Sequence, residues 1–389
     1  MTTARKVVLI VATVLLLGGA ALSMGAFAMA DFRFENLSNT TRDWTSNTST
    51  MNAEAEAPHT AIVVRDRGEG VRFEPTDGDA IEVTYWTGTE KNMTITDEGG
   101  VLEIDGTGSP LAGVMIMKVD FQDRTTVVKV PRSFTGSIEA ETVSGNIDAT
   151  GLSGLTACKA TTVNGYVQAT RLEAGEISLA TTSGSATVNG VRATKVSASS
   201  TNGSVVANDV AADDVALSTT SGNVGTSGIN AKTLAAHTMN GSVSAQSIAA
   251  ESVSFDTTSG NVTSDNMTAG SLDARTINGS IDMTSLDAAL ASFGTGSGHV
   301  NATFVGSADD YRIDAQSTHG NVHAPQGNAS ASKQVTASAM NGSITLGFVG
   351  GGAATGSSDA GRSAPSAPGA PAAPAAPAAP AAPAAPAAA

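Results

Sequence analysis

Apolar residues in the second half of the chain stand at fixed distances from a recurring glycine. Each of these eleven glycines follows Ser, Asn or His; the first interval is 20 residues, the next seven are 19 and the last two are 22. An apolar residue stands two positions after every one of these glycines, and another stands seven positions before it. The glycines are Gly145, Gly165, Gly184, Gly203, Gly222, Gly241, Gly260, Gly279, Gly298, Gly320 and Gly342.

Apolar positions that step by two on either side of a turn indicate β-strands, because a helix would space them by three or four residues. Around Gly222, for example, Val215 and Leu217 precede the glycine and Val224 follows it. A fixed period of this length is typical of a solenoid. The step of two excludes helical repeats of the ankyrin and tetratricopeptide types, and the units lack the dense leucines of a leucine-rich repeat.

The pattern predicts an all-β chain whose main domain is a single-stranded parallel β-solenoid (a β-helix) of about 11 coils of 19–22 residues, over residues 138–349. Equivalent residues of successive coils then stack about 4.8 Å apart, which makes a rod about 50 Å long. Between Ile138 and Val349 the only proline is Pro325, as expected where nearly every backbone N–H joins a ladder.

Side-chain size alternates between neighbouring units at two positions. Five before the glycine, Leu or Phe alternates with Ala, as in Phe255 and Ala274. Two before it, Thr alternates with Val, Met or Ile, as in Thr258 and Ile277. We interpret both alternations as core packing, in which a large side chain of one coil lies against a small one of the next.

Short alternating segments precede the repeats, and we interpret residues 58–137 as a block of β-strands that caps the solenoid. Apolar and polar residues alternate in "IEVTYW" (Ile81, Val83) and "VVKVP" (Val128, Val130), for example. Turn sequences such as Asp77-Gly78 separate the segments.

The first 30 residues are predicted to be an N-terminal transmembrane anchor or a signal peptide. Arg5 and Lys6 precede about 24 uncharged residues, enough to cross a bilayer of about 30 Å. Ala28 and Ala30 also form a signal-peptidase type of site before Asp31, so that both interpretations are open. Either way the rest of the chain is exported, after a polar spacer over residues 31–57.

The last segment, residues 350–389, is predicted to be a disordered Gly/Ala/Pro-rich tail. Eight prolines from Pro365 to Pro386 lie three residues apart. Polyproline II turns once in three residues and has no core to fold around, so this segment is expected to act as a spacer.

The charge and cysteine content of the chain exclude some kinds of partner and of cross-link. The formal charge is −15, with 21 Lys and Arg against 36 Asp and Glu, so nucleic acid is not an expected partner. Cys158 is the only cysteine, which excludes an intrachain disulfide.

No catalytic, cofactor-binding or metal-binding residue is predicted, and no cofactor is expected. His319 and His323 flank a glycine turn and, on strands, would lie more than about 12 Å apart, too far for one metal ion. Cys158 stands at a position that other units fill with Ile, Val or Leu, so we expect a buried, inert thiol.

Acidic pairs and glycosylation sequons have structural explanations. Asp213-Asp214 and Asp309-Asp310 could serve a glycan-active enzyme, but no base recurs beside them. Four Asn-Gly-Ser sequons fall on the glycine turn, where we expect Asn and Gly for the positive φ of a tight turn. The sequons begin at Asn202, Asn240, Asn278 and Asn341.

Residues 60–349 resemble the bacterial putative-adhesin family of β-strand-repeat proteins of unknown function. The resemblance rests on "VVRDRGEGVRFEPTDGDAIEVTYW", "VLEIDG", "VVKVPRSFTGSIEAETVSGNIDATGL" and the following "TTSGNV" and "TVNGYV" units. It implies a β-solenoid ectodomain with an N-terminal membrane anchor and display outside the cell. The regular 19-residue run and the Pro/Ala tail depart from the family pattern and favour surface display.

The expected function is that of a membrane-anchored cell-surface protein with a binding or structural role, adhesion being one such role. Its partners would be the lipid bilayer, through the N-terminal helix, and an envelope protein or cell-surface ligand. The alternative is an envelope-stress or membrane-signalling component acting through protein contacts, and a glycan-active β-helix enzyme comes third. The expected location is the cell membrane, single-pass with the C-terminal region extracellular, or secretion after cleavage.

The last coil, around residues 344–349, has no capping helix after it. Because an uncovered β edge invites pairing, we expect the tail or another subunit to shield it.

Overall fold

The computed structural model describes residues 45–52, 59–88, 91–108 and 124–350, and these form one all-β solenoid of the predicted kind. The predicted N-terminal anchor (1–30) and residues 351–389 of the predicted tail lie outside the described residues. Within the described part of the chain, no helix has the length and apolarity to span a bilayer.

Seven strands precede the repeats. They are β1 (Thr45–Asn52), β2 (Ala61–Asp66), β3 (Val71–Thr76), β4 (Ala80–Thr87), β5 (Lys91–Glu98), β6 (Val101–Gly108) and β7 (Thr126–Pro131). The first of them lies inside the stretch that was predicted to be a spacer.

The repeats contain the remaining strands and a short 3-10 helix, Ala308–Asp310. The strands are β8 (Ser137–Thr142), β9 (Ile147–Thr150), β10 (Leu155–Thr162), β11 (Val167–Thr170), β12 (Glu173–Thr181), β13 (Ala186–Ser200), β14 (Val205–Thr219), β15 (Val224–Asn240), β16 (Val243–Ser259), β17 (Val262–Asn278), β18 (Ile281–Ser297), β19 (Val300–Gly306), β20 (Tyr311–His319), β21 (Val322–His323), β22 (Lys333–Asn341) and β23 (Ile344–Gly350).

Each regular coil has three sides, and we name each coil by the glycine that ends its third side, so that the coil of Gly241 begins after Gly222. After Gly222 the parallel ladder runs through residues 224–227, 229–231 and 233–240, with breaks at 228 and 232 that mark two corners. The third corner is the glycine itself. The inward side chains are Val224 and Thr226 on the first side, Ile229 and Ala231 on the second, and Leu234, Ala236 and Thr238 on the third.

Close stacking explains the glycine corner. A Cβ on any of the eleven glycines would lie 1.7–2.2 Å from a carbonyl oxygen of the neighbouring coil. At Gly222 that atom is the oxygen of Gly203, at 2.2 Å. No side chain fits there, so glycine is required by space.

The left-handed corner lies elsewhere, six residues after the glycine. The φ angles there lie between 52° and 72°. The residues are Gly151, Arg171, Gly190, Asp209, Gly228, Ser247, Asn266 and Ser285. Gly, Asn and Asp tolerate this conformation best, which accounts for much of the column.

The predicted positive φ at the Asn-Gly turns is therefore wrong for all four Asn residues and for three of the four glycines, and only Gly342 has one, at 156°. Instead, the side chain that follows most of the eleven repeat glycines accepts a backbone N–H from the neighbouring coil. Asn261 Oδ1 accepts from Ser280 N at 2.9 Å, and Ser280 Oγ accepts from His299 N at 3.2 Å. Asn and Ser can alternate at this position because the side chain of either accepts the hydrogen bond.

A second ladder of hydroxyls runs inside the third side, three residues before each glycine. Thr219 is 4% exposed, and its Oγ1 donates to the carbonyl oxygen of Gly203 at 2.7 Å. The same bond recurs at 2.7–3.0 Å from Thr142 to Thr295. Ala339 interrupts the column, and Ser317 resumes it with the carbonyl of Gly342.

The two size alternations lie on opposite faces of the sheet. At five before the glycine, Phe255 and Ala274 are adjacent in the ladder and are 1% and 0% exposed, as predicted. At two before the glycine, Met239 and Ile277 are 48% and 58% exposed. The prediction of core packing there is wrong, because strand alternation turns an even offset outward when offsets of three, five and seven point inward.

At the N-terminal end, the order of the coils departs from the order of the chain. The first coil, β2 with β3, lies between β6 with β7 on one side and β8 with β9 on the other. Antiparallel strands then cover this end: β5 pairs with β6, and β4 and β1 extend the sheet from β7. Thus the predicted capping block also adds two coil levels of its own.

A buried ion pair joins the cap to the first coil. Asp66 Oδ2 accepts from Lys91 Nζ at 2.7 Å and from Thr126 Oγ1 at 3.2 Å. The side chains of Asp66 and Lys91 are 0% and 8% exposed. The two hydrogen bonds to this carboxylate come from Lys91 of β5 and Thr126 of β7, so both strands must lie in their observed places.

At the C-terminal end, too, the spatial order of the coils departs from their order in the chain. The last unit in sequence, β22 with β23, is inserted between the coils of Gly298 and Gly320. β23 therefore pairs with β19 on one side and, at Ile344–Thr345, with β21 on the other. The preceding unit of the same chain therefore covers part of the last strand, and the coil of Gly320 ends the rod. Shielding by the tail or by another subunit stays a prediction.

Four aromatic side chains fill the core where the order changes. The ring centroid of Phe304 lies 5.2 Å from that of Tyr311 and 5.1 Å from that of Phe348. Phe293 lies 6.3 Å from Phe304. These rings come from the three last coils of the rod and hold them together by apolar contact.

We predict that Gly222→Ala destabilises the solenoid by at least about 3 kcal/mol, because the new Cβ cannot avoid a backbone oxygen. The matched control is Gly225→Ala, where nothing lies within 4 Å of the added Cβ. Urea unfolding followed by circular dichroism measures both. Equal stability of the two variants would contradict the stacking constraint.

We also predict that Thr219→Val lowers the free energy of unfolding by about 1–2 kcal/mol, because it leaves the carbonyl of Gly203 without its hydroxyl donor. Thr220→Val, on the exposed face of the same strand, should change stability by no more than about 0.5 kcal/mol. The reverse result in urea unfolding would show that the hydroxyl ladder contributes nothing.

Candidate functional site

The outward face of the third side is the candidate binding surface. Its four outward positions lie eight, six, four and two residues before each glycine. In the middle coils they are filled by small residues such as Ser197, Ala216, Ala235 and Ser254. Small outward side chains allow another molecule to approach the sheet closely.

A groove with a volume of about 460 Å³ opens on this side across the coils of Gly260, Gly279, Gly298 and Gly342. Its polar lining consists chiefly of hydroxyl and amide groups, from Ser252, Ser254, Ser271, Ser292, Gln334 and Thr336. Asp273 and Arg275 add an ion pair, and Leu290, 50% exposed, adds an apolar wall. Such a lining can hydrogen-bond and pack against a ligand.

A row of exposed apolar side chains follows the groove, two residues before the glycines. Met239, Ile277 and Met340 are 48%, 58% and 59% exposed. Thr258, Gly296 and Thr318 occupy the same position in the intervening and terminal coils. We call these six residues the apolar comb. Its alternation is regular only in the spatial order of the coils, where Met340 follows Gly296.

Asp213, Asp214 and Asp310, three of the four residues in the acidic pairs, are engaged in structural contacts. Asp213 Oδ1 lies 3.0 Å from Lys232 Nζ, and this contact raises the pKa of the lysine. Asp214 accepts from Thr233 Oγ1 in the next coil. Asp310 caps the short 3-10 helix by accepting from Ser307 N at 3.1 Å.

The two histidines singled out in the sequence lie on the terminal coil and are exposed. His319 is in ladder register with Asn341, and His323 with Thr345. Within the described residues, no three His, Cys, Asp or Glu side chains come together as a metal site would require.

Cys158 lies where the sequence predicted, in the core between Ile138 and Ile177 of the neighbouring coils. It is 2% exposed, and desolvation by burial raises the pKa of its thiol from 9.0 to about 12. A thiol so poorly ionised and so inaccessible is a weak nucleophile.

Sequence reasoning missed the left-handed corner, the hydroxyl ladder and the outward position of the comb. All three had a signal in the chain. Ser or Thr recurs three before the glycine, and Gly, Asn, Asp or Ser recurs six after it. Counting even and odd offsets would have placed the comb outside.

The family model of Toastrack DUF4097 matches residues 59–211 and again residues 195–347, which together span the solenoid. The chain belongs to the Toastrack DUF4097 family. This confirms the resemblance to β-strand-repeat proteins of unknown function. The Toastrack DUF4097 model matches twice, with an overlap, because the repeat region of this chain is longer than one copy of the model.

Solved structures with similarity to this Toastrack DUF4097 chain include a putative adhesin from Parabacteroides merdae, with 17% identity, a TM-score of 0.41, and coverage of 62% of this chain and 95% of that one. Another is a putative lipid binding protein from Parabacteroides distasonis, with 15% identity, a TM-score of 0.31, and coverage of 80% and 98%. A third is a putative cell adhesion protein from Clostridium sporogenes, with 8% identity, a TM-score of 0.25, and coverage of 79% and 100%. No curated protein sequence matches the chain significantly.

We predict that burial of the Cys158 thiol makes the free energy of unfolding depend on pH. Its folded pKa is raised, so the neutral thiol stabilises the fold fully below about pH 9, and this stability is lost as the pH rises towards 12. Between pH 7.5 and pH 10, wild type should lose about 1.4 kcal/mol more stability than Cys158→Val. Urea unfolding of both proteins at the two pH values measures the difference; parallel losses would contradict a buried neutral thiol.

Proposed function

We propose that this protein is a rod displayed on the cell surface, held to the membrane by residues 5–30, and that it adheres to a macromolecular partner through its third side. The observation that carries the proposal is the apolar comb beside the groove. Single exposed apolar residues are ordinary on protein surfaces, whereas a regular row beside a concave, hydrogen-bonding surface is typical of an interaction site.

The chemistry of the third side favours binding over catalysis. Serine and threonine hydroxyls, one amide and one ion pair can recognise a ligand, and Leu290 can exclude water from the contact. Three of the four carboxylates in the acidic pairs, which an enzyme would need free, are already engaged: Asp213 with Lys232, Asp214 with Thr233, and Asp310 with the backbone of Ser307. A glycan-active enzyme is therefore less favoured.

The proposed anchor sets the direction of the rod. Only 14 residues separate Ala30 from Thr45, the first residue of β1, which caps the N-terminal end. The N-terminal end would then stand near the membrane, and the comb, which occupies the coils from Gly241 to the terminal coil, would lie in the half of the rod away from it. That is where a surface adhesin would meet its partner.

We predict that Met239→Ser with Ile277→Ser reduces cell attachment about tenfold or more, because it removes two of the exposed apolar side chains of the third side. The matched control is Val101→Ser with Val305→Ser, at residues 37% and 49% exposed in β6 and β19. Full-length variants are expressed in a deletion strain, and attachment to a layer of the same bacterium is counted.

Two results would contradict the proposal. One is normal attachment by the deletion strain; a changed envelope-stress response in that strain would then favour the signalling alternative. The other is full attachment by the folded Met239→Ser, Ile277→Ser variant. Loss of the chain from the membrane fraction after alkaline extraction would contradict the anchor alone.

A further inference from the structure

We propose that the partner of the third side is a second copy of this chain on an opposing surface, bound rod against rod in an antiparallel, two-fold arrangement. This inference rests on the proposed function and names the partner of the same site. It is argued from the shape of the apolar comb, the charges beside it and the area of the face.

The apolar comb fits its own copy when that copy is inverted. In spatial order its members run Met239, Thr258, Ile277, Gly296, Met340 and Thr318, alternately large and small. A two-fold axis along the strands, between the coils of Gly260 and Gly279, brings each large residue of the comb opposite a small one.

Each large side chain of the comb meets a small residue across this axis, and Thr318, at the end of the row, meets Thr201 of the second copy. Ile277 faces Thr258 of the second copy, Met239 faces Gly296, and Met340 faces Thr220. Each exposed side chain enters the space left by a small residue, as large and small side chains do in a packed core. The opposite shift, by one coil, would set Met and Ile side chains against each other and hold the sheets apart.

The same axis pairs opposite charges. Four residues before the glycines, Asp256 and Arg275 occupy the coils of Gly260 and Gly279, and both are exposed. Asp256 therefore faces Arg275 of the second copy, and Arg275 faces its Asp256. In each monomer Asp256 lies 3.6 Å from His237, and Arg275 contacts Asp273. The two copies would bring four charged groups of alternating sign together at the axis.

Like charges meet only at the rim of the face. Lys195 would face Arg312 of the second copy, in the coils of Gly203 and Gly320. Lys195 already pairs with Glu176 at 3.5 Å, and both side chains of that pair are more than half exposed. Flexible, solvated charges at a rim contribute little to affinity.

The area suits a specific but reversible contact. The arrangement overlaps the eight coils from Gly203 to Gly320, about 34 Å along the rod at about 4.8 Å per coil. The third side is about 20 Å wide, so each copy would bury about 700 Å². A standard protein interface buries about 800 Å² on each partner.

Antiparallel pairing also suits contact between cells. With the N-terminal ends near their membranes, two antiparallel rods project from opposite surfaces. The N-terminal end of the rod takes no part, and the pair closes on itself without growing into a filament.

The test uses charge exchange between two cell populations that express the full-length chain. Asp256→Arg alone and Arg275→Asp alone should each reduce aggregation among cells of one kind about tenfold, because like charges then meet at the axis. Mixing the two populations should restore aggregation, since the arginine introduced in one chain would meet the aspartate introduced in the other, and the native Arg275 of the first would meet the native Asp256 of the second. The double variant Asp256→Arg, Arg275→Asp in one chain should aggregate as wild type does.

The outcomes separate this inference from the proposed function. Attachment of wild-type cells to a layer that lacks the chain, at the level seen with a layer that has it, would overturn pairing of two copies while leaving adhesion in place. Failure of the mixed populations to recover, with both variants folded and present at the surface, would overturn the antiparallel arrangement. Aggregation that depends on the chain and recovers on mixing would support it.

Discussion

The whole solenoid depends on how closely the coils approach at the glycine corner. A Cβ there would lie within 1.7–2.2 Å of a backbone oxygen of the next coil, so every coil must bring a glycine to the same place. This constraint sets the register of each new coil against the last. Once the glycines are stacked, the hydroxyl three residues earlier reaches the carbonyl of the preceding glycine, and the Asn or Ser one residue later reaches the next N–H. Apolar residues at odd offsets before the glycine are thereby directed into the core.

Stacking alone would leave both ends of the rod open, and the chain manages its two ends differently. At the N-terminal end the chain builds an extra level and covers it with antiparallel strands, and the buried pair of Asp66 and Lys91 favours that arrangement because either charge alone would be desolvated without a partner. At the C-terminal end the last unit is inserted one level inward, and the cluster around Phe304 packs against it. The insertion restores the alternation of the apolar comb, so one topological change serves the core and the outer surface together.

The regularity that stabilises the core also shapes the outer face. Because successive coils lie about 4.8 Å apart, the outward side chains at one distance in sequence from the glycine form a straight row along the rod. On the third side that row is alternately large and small, with Asp256 and Arg275 beside it. A periodic surface of this kind can be complementary to an inverted copy of itself, so the proposed pairing of two copies would use the same repeat that builds the fold.

By itself the sequence determined the repeat, the solenoid class and the burial of Phe255, Ala274 and Cys158, because a period of 19 with apolar steps of two has only one economical packing. It also carried the family resemblance.

Tertiary structure alone decided that Met239 and Ile277 lie outside, since apolar character at an even offset could not outweigh strand alternation. It decided the order of the coils at both ends, because parallel neighbours need not be consecutive in the chain and no local pattern records which ladder a strand joins. It also decided that residues 45–52, polar throughout except Met51, form a strand: their pairing with β4 supplies hydrogen bonds that no hydrophobic pattern announces.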